Sequence, residues 1–255
     1  MIEQKKKAIA WQEKTVVIFR LLGDMVFPPK CPLCREAVDE AHALCTSCFQ
    51  ALRFISKPQC SICGEPFSYA STDSMLCGQC LTTRPPYSMA RAPLVYDDVS
   101  RPLVTRFKYG DQPQLARVIS RLMRQVGHEV LQGADFLIPV PLHWRRRVMR
   151  RYNQSEILAQ HLGAATRLAV RADVLKRISA TTPQVGLSRS QRKRNVARAF
   201  SVPSSFQQTL SGRVVVLVDD VITSGATLEA CARTLMAAGA AEVRVLTLAR
   251  RVMVD

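Results

Sequence analysis

Residues 213–227 restrict the folds open to this chain more than any other stretch. An apolar run from Val214 to Val218 ends in two adjacent carboxylates, Asp219 and Asp220. A short loop of small and hydroxylated residues, 223–227, follows and opens into an apolar helical pattern. A continuous β-branched run reads as a parallel strand buried on both faces, and ligands of open α/β sheets sit beyond the carboxyl ends of such strands. Hydroxyls and backbone N–H groups at a helix start suit a phosphate. Two acids beside a phosphate cradle would repel it unless they serve ribose hydroxyls or a magnesium ion carried with the ligand. The residues therefore predict a sugar-phosphate site. A dinucleotide fold is disfavoured, because no Gly-x-Gly-x-x-Gly follows any candidate strand.

The N-terminal third is constrained by cysteine. Eight of the nine cysteines precede residue 81, in four Cys-x-x-Cys pairs: Cys31/Cys34, Cys45/Cys48, Cys60/Cys63 and Cys77/Cys80. A two-residue gap lets both sulfurs of a knuckle face one tetrahedral ion at about 2.3 Å, and knuckles spaced like these leave room for a zinc-ribbon hairpin. Soft thiolates favour zinc over harder ions. Disulfides are disfavoured without a secretion signal, four pairs outnumber what redox chemistry needs, and iron–sulfur spacings are more compressed. Four thiolates close the coordination sphere, so the metal is structural. The count accommodates two ions, with sequential pairing the simplest arrangement and interleaved pairing also compatible. So short a segment draws its folding energy from metal, and chelation is expected to unfold residues 30–82 and leave the rest intact. Cys231, inside the last helical pattern, reads as a buried apolar filler.

Three segments follow. Residues 1–29 read as an amphipathic helix docking through Ile9, Val16, Val17, Phe19 and Leu21, residues 30–84 as the cysteine ribbon, and residues 85–255 as an α/β domain. The boundary is punctuated by Pro85 and Pro86. Beyond it, strands are predicted over 92–96, 135–141, 170–178, 214–218 and 243–248. Helices are predicted through Leu103 and Phe107, through Leu115 and Val126, through Ile157 and Leu162, and over 226–238. Strands alternating with helices imply a mainly parallel sheet.

Charge points to a polyanion. The net charge is +16; residues 1–90 hold 10 Lys and Arg against 8 Asp and Glu, and residues 91–255 hold 26 against 12. The excess of +14 in the second part attracts nucleic acid before other partners. It is locally dense at Arg145, Arg146, Arg147, Arg150 and Arg151, and again at Arg189, Arg192, Lys193, Arg194 and Arg198. Trp144 and Tyr152 bracket the first cluster, as suits single-stranded nucleic acid. No stretch approaches the roughly 18 apolar residues of a membrane helix, and Gln12, Glu13, Lys14 and Arg20 interrupt the segment that a signal peptide would need. A cytoplasmic protein without membrane insertion is expected.

The stretch ending in Asp219-Asp220-x-x-Thr223-x-Gly225-x-Thr227 resembles the phosphoribosyl-pyrophosphate (PRPP) signature of type I phosphoribosyltransferases, without gaps. Over residues 30–250 the chain resembles the ComF family of phosphoribosyltransferase-like proteins associated with DNA uptake and use. The resemblance rests on the eight cysteines, Tyr96, Phe107-Lys108-Tyr109-Gly110, Pro139-Val140-Pro141-Leu142-His143, Asn153-Gln154, the Gln- and Arg-rich segment 184–195 and the PRPP motif. One departure is Arg151, where the family usually has Gly before the aromatic-Asn-Gln triplet; Gly permits φ > 0 and Arg seldom does.

The resemblance implies a type I phosphoribosyltransferase-like α/β domain with a mainly parallel sheet, preceded by a small double zinc ribbon. It implies that Thr223, Ser224, Gly225, Ala226 and Thr227 hold the 5′-phosphate and that Asp219 and Asp220 bind the ribose hydroxyls. Magnesium would accompany PRPP, and Val140, Pro141, Leu142, His143 and Arg145 would meet the pyrophosphate. Residues 188–198 correspond to a hood with Arg189 and Arg192 as clamps. Lys108, Arg147, Arg150, Arg151, Asn153, Gln154, Arg194 and Asn195 are further hood or DNA-binding candidates. No residue is assigned as catalytic. The implied function is binding of PRPP or a nucleotide phosphate in DNA uptake or utilization (natural competence), with single-stranded DNA handled and a DNA-uptake helicase as partner. The alternatives are an active phosphoribosyltransferase of nucleotide metabolism with an unspecified acceptor, and a PRPP sensor.

Overall fold

The computed structural model describes residues 28–41, 43–68, 75–109, 112, 114–142, 152–178 and 199–252. The expected N-terminal helix falls on residues 1–27, outside them. The chain forms two compact units, Met1–Gln50 and Ala51–Asp255.

In the smaller unit, Lys30 bridges Ala37, Cys31 N donates to Glu36 O at 2.7 Å, and Arg35 N donates to Cys31 O. Helix α1 (Thr46–Ala51) starts just beyond Cys45. The larger unit repeats this knuckle: Gln59 bridges Pro66, Cys60 N donates to Glu65 O at 2.7 Å, Gly64 N donates to Cys60 O, and helix α2 (Gly78–Thr82) follows Cys77. Each turn wraps backbone N–H groups around one Cys-x-x-Cys pair, so both sulfurs project to the same side.

The chain then enters a parallel sheet. Strand β1 (Met89–Arg91) and β2 (Leu94–Val95) both lie along the last strand, and Pro93, which has no N–H to give a ladder, separates them. The single strand expected over 92–96 is thus two short ones that begin earlier. Asp97 and Ser100 turn the chain into helix α3 (Arg101–Tyr109): Asp97 Oδ1 accepts from Val99 N and Ser100 N, and Ser100 Oγ donates to Val95 O. Helix α4 (Leu115–Val126) buries Leu115, Val118, Ile119 and Leu122, one face at helical spacing. A short helix, α5 (His128–Leu131), leads to β3 (Phe136–Pro139), and α6 (Gln154–Thr166) to β4 (Ala169–Val170).

The strand expected over 170–178 does not form. After Val170 the chain leaves the sheet through a bend at residues 172–174, Val174 and Leu175 sink into the core, and Lys176–Arg177 (β5) pairs antiparallel with Phe200–Ser201 (β6). The apolar content there serves packing rather than a ladder. After helix α7 (Gln207–Leu210) comes β7 (Val214–Ile222), then α8 (Ala226–Ala237) and β8 (Glu242–Arg250). Cys231 is fully buried in α8, as expected. Strand β7 extends past Val218, the expected end, and takes in both acids, because Thr247, Ala249 and Arg250 of β8 keep Asp219, Val221 and Ile222 paired.

The strand order is β1-β8-β7-β3-β4, with β2 also on β8 and every pairing parallel. From β3 the chain steps outward to β4, then returns to the opposite side of β3 to lay down β7 and β8. The direction of winding reverses between β3 and β7. In an open α/β sheet this crevice, at the carboxyl ends of the strands, is where a ligand is received.

Candidate functional site

Four segments meet at that crevice. Pro139 lies in register with Val218, and Val140 N donates to Val218 O at 3.0 Å, so the turn after β3 lies against β7 where the acids begin. Successive strand residues point to opposite faces, and the two acids have different partners. Asp219 Oδ1 accepts from Ser155 Oγ at 2.8 Å and from Asp220 N at 2.9 Å. Asp220, 9% exposed, is held by Lys108 Nζ at 2.9 Å. Burial and then the neighbouring Asp220 charge push the Asp219 carboxyl up to about 7, against the pull of its hydrogen bonds and Lys108. Lys108 and the Ser155 hydroxyl thus offset part of the negative charge that the two acids bring to the crevice.

Lys108 is delivered by a clamp on the end of α3. The last carbonyls of a helix lack intrahelical partners. Here Tyr152 Oη donates to Phe107 O at 2.8 Å and Gln154 Nε2 to Lys108 O at 3.1 Å. Asn153 Nδ2 donates to Val140 O at 3.2 Å, joining the same triplet to the turn after β3. Asn153 and Gln154 are buried, and their amides tie the turn after β3 to the end of α3.

The loop after β7 is exposed at Thr223, partly exposed at Ser224, Gly225 and Thr227, and closed at Ala226, which is buried. Gly225 takes φ 76° as the residue before α8, a conformation that glycine adopts without strain. A Cβ there would meet Glu229 Oε1 at 3.8 Å and Tyr87 Oη at 3.9 Å. Pro141 and Leu142 are partly buried at the mouth of the turn.

The cysteines assemble in sequence order. The sulfurs of Cys31, Cys34, Cys45 and Cys48 lie within 4.8 Å of one another, and so do those of Cys60, Cys63, Cys77 and Cys80. Cys34 and Cys45 sulfurs are 3.4 Å apart and Cys63 and Cys77 sulfurs 3.5 Å. Such separations are far beyond a disulfide bond and close to the edge of a tetrahedron with sulfur about 2.3 Å from its centre. Both donor sets fit zinc, and the pairing is sequential rather than interleaved. The second cluster is fully buried, in one core with Leu217 and Val245 of the sheet and Leu228 of α8. Unfolding confined to residues 30–82 on metal removal does not fit that packing.

Comparison with known proteins agrees with this geometry. Residues 22–81 match the double zinc ribbon domain family, and residues 155–252 the phosphoribosyl transferase domain family. The chain is 34% identical over 235 residues to the DNA utilization protein YhgH of Shigella flexneri, an alignment spanning 89% of this chain and 99% of that protein. This chain belongs to the ComF family. Its similarity extends to competence protein F of Haemophilus influenzae, at 32% identity over 87% of this chain and 96% of that one. It also reaches competence protein ComFC of Bacillus subtilis, at 26% over 81% and 84%.

Of the residues that the ComF resemblance singled out, the structure brings Asp219, Asp220, Lys108, Val140, Asn153 and Gln154 into one connected network. His143, Arg145, Arg147, Arg150 and Arg151 lie outside the described residues, as do Arg189, Arg192, Arg194 and Asn195 of the hood segment. Ser155, Tyr152 and Tyr87 were not foreseen in these roles. Ser155 and Tyr152 flank the Asn-Gln pair of the ComF pattern, and that adjacency was the available signal. Among the described residues, no helix is long and apolar enough to cross a membrane.

Proposed function

We propose that the crevice between β3 and β7 binds the phosphorylated ribose of PRPP or of a nucleotide, and that the protein uses this site in handling single-stranded DNA. The carrying observation is the position of Asp219 and Asp220 at the carboxyl end of β7, at the switch point, just before a loop that opens α8 through a left-handed glycine. The 5′-phosphate would sit on Thr223, Ser224, Gly225, Ala226 and Thr227, where Ala226 contributes backbone only. Asp219 and Asp220 would accept the ribose hydroxyls, and the turn at Val140, Pro141 and Leu142 would face the pyrophosphate.

Magnesium fits the all-oxygen donor set of such a ligand and two carboxylates. When bound with PRPP it would neutralise pyrophosphate charge. Lys108 already balances Asp220 in the free protein, so ligand entry would redistribute a counter-charge that is present beforehand rather than create one. The DNA part is supported by the charge excess of residues 91–255 and by relatives named for competence and DNA utilization.

Calorimetric titration with PRPP and magnesium, followed by a short single-stranded oligonucleotide, tests both parts. Saturable one-site binding of each supports the reading. Absence of any PRPP heat at millimolar ligand would end it, and pyrophosphate release on adding an acceptor would move it to catalysis.

A further inference from the structure

Arg250 lies between the buried cysteine cluster and the strand end that leads into the loop 223–227. Arg250, the last residue of β8, directs Nε and Nη2 to Glu65 Oε2 at 2.7 and 2.6 Å, Nη1 to Cys63 O at 2.7 Å, and Nη2 to Cys63 Sγ at 3.4 Å. Arg250 and Glu65 are each only 6% exposed. On its other side Arg250 lies in register with Ile222, and Arg251 N donates to Ile222 O at 2.8 Å. Ile222 is the residue before Thr223, where the loop begins.

The knuckle itself is pressed onto the sheet. Ala90 N donates to Ile62 O at 2.6 Å, Arg91 Nη1 donates to Ser61 O at 3.1 Å, and a Cβ on Gly64 would come 2.6 Å from Ala90 O. A second path runs through Tyr87. It is 5% exposed, belongs to the same core as Cys63 and Cys80, and its hydroxyl lies beside Gly225.

A divalent ion held by four thiolates carries net negative charge, and groups that hydrogen-bond its sulfurs tune and orient it. Arg250 supplies such a group to Cys63, and its planar fork engages Glu65 and the Cys63 carbonyl together. We propose that Arg250 is a positioning residue that couples metal occupancy of the Cys60, Cys63, Cys77 and Cys80 cluster to the shape of the loop 223–227, so that sugar-phosphate binding depends on the second metal. The ligand arm of this proposal rests on the function proposed above; the metal and loop arms do not. The ligand class is unchanged, but the site becomes responsive to zinc withdrawal or thiol oxidation some distance away in the sequence.

The test uses the full-length, zinc-loaded protein and its variants Arg250→Met and Arg250→Lys. Three quantities are read: release of the slower zinc equivalent to a chromogenic chelator, amide hydrogen exchange of a peptide spanning 221–229, and affinity for PRPP with magnesium. Arg250→Met is expected to speed the slower release by about 10–100-fold. It should also speed exchange in 221–229 while residues 214–218 stay protected, and weaken PRPP about tenfold. Arg250→Lys keeps charge without the fork and should recover part of the release rate and less of the loop protection. Faster zinc release with unchanged loop exchange would overturn the coupling, and so would unchanged release. If Arg250→Met does not fold, chelator titration of the wild-type protein decides: loop exchange should rise with loss of the slower equivalent, and a flat response refutes the proposal. If wild-type protein binds no PRPP, the proposed function falls, while release and exchange still judge the coupling.

Discussion

Lys108 Nζ and Asp220 Oδ1, 112 residues apart in the chain, lie 2.9 Å from each other at the carboxyl end of β7. The pair is mostly buried, with the two side chains 22% and 13% exposed. It sets the charge balance of the crevice before any ligand arrives, and the caps on α3 from Tyr152 and Gln154 fix where Lys108 can reach.

Removing the lysine should leave two neighbouring acids without their cation. Lys108→Met is expected to cost about 2 kcal/mol, because one partner of a largely buried pair is left unmatched. For a unit of this size that is a fall in melting temperature of roughly 4–8 °C. Differential scanning calorimetry reads it directly. Asp220→Asn, which keeps a hydrogen-bond acceptor, should cost less.

The Asp219 carboxyl, raised to about 7, sets a pH dependence with a definite sign. The folded protein holds this proton more tightly than the unfolded chain does, whose value is near 3.8. Its contribution to stability is therefore full at acid pH, declines as pH rises from about 4, and is lost above about 7. Asp135 and Glu242, both held below the usual carboxylate range, work in the opposite sense at the acid end. The difference in melting temperature between wild type and Asp219→Asn, scanned from pH 4 to 8, should move in favour of the variant as pH rises. A flat difference would mean that Asp219 ionises normally.

The two cysteine clusters should not be equivalent. Cys63 lies in the main core and accepts from Arg250, whereas Cys34 is exposed. Metal analysis is expected to give two zinc ions per chain. Cys63→Ser should lose one of them and lower the melting temperature of the larger unit well beyond the effect of Cys34→Ser.

Phosphate and DNA recognition should separate by mutation. Asp219→Ala combined with Asp220→Ala should weaken PRPP by at least about 100-fold, since charge-assisted hydrogen bonds contribute about 1.5–3 kcal/mol each. Bulk affinity for single-stranded DNA should change little. Charge reversal at Arg145, Arg146, Arg147, Arg150 and Arg151 should do the opposite. It should also flatten the salt dependence of DNA binding by about 0.7 for each phosphate that is no longer neutralised. Equal loss of both ligands in both variants would contradict two recognition modes.

The parts legible from sequence were those carried by local pattern. The valine run, the twin acids and Gly225 sit close together in the chain, and their strand, loop and helix formed as expected. The four Cys-x-x-Cys knuckles likewise declare themselves by spacing. What was hidden depends on distant partners. Arg250 and Glu65 are 185 residues apart, and nothing in the sequence near Arg250, the buried last residue of β8, distinguishes it from Arg251, which lies just past the strand and is exposed. Strand 170–178 failed for the same reason: Val174 and Leu175 are apolar because the core needs them, and periodicity cannot tell that use from a ladder. The resemblance marked Lys108 only as a hood or DNA-binding candidate; its pairing with Asp220 depends on the fold that brings α3 to β7.

The most direct measurement is a crystal structure of the protein with PRPP and magnesium. The 5′-phosphate should rest on residues 223–227, with the ribose hydroxyls at Asp219 and Asp220 and the pyrophosphate facing the turn after β3. A loop left empty at saturating ligand, or PRPP bound elsewhere on the molecule, would contradict the sugar-phosphate site.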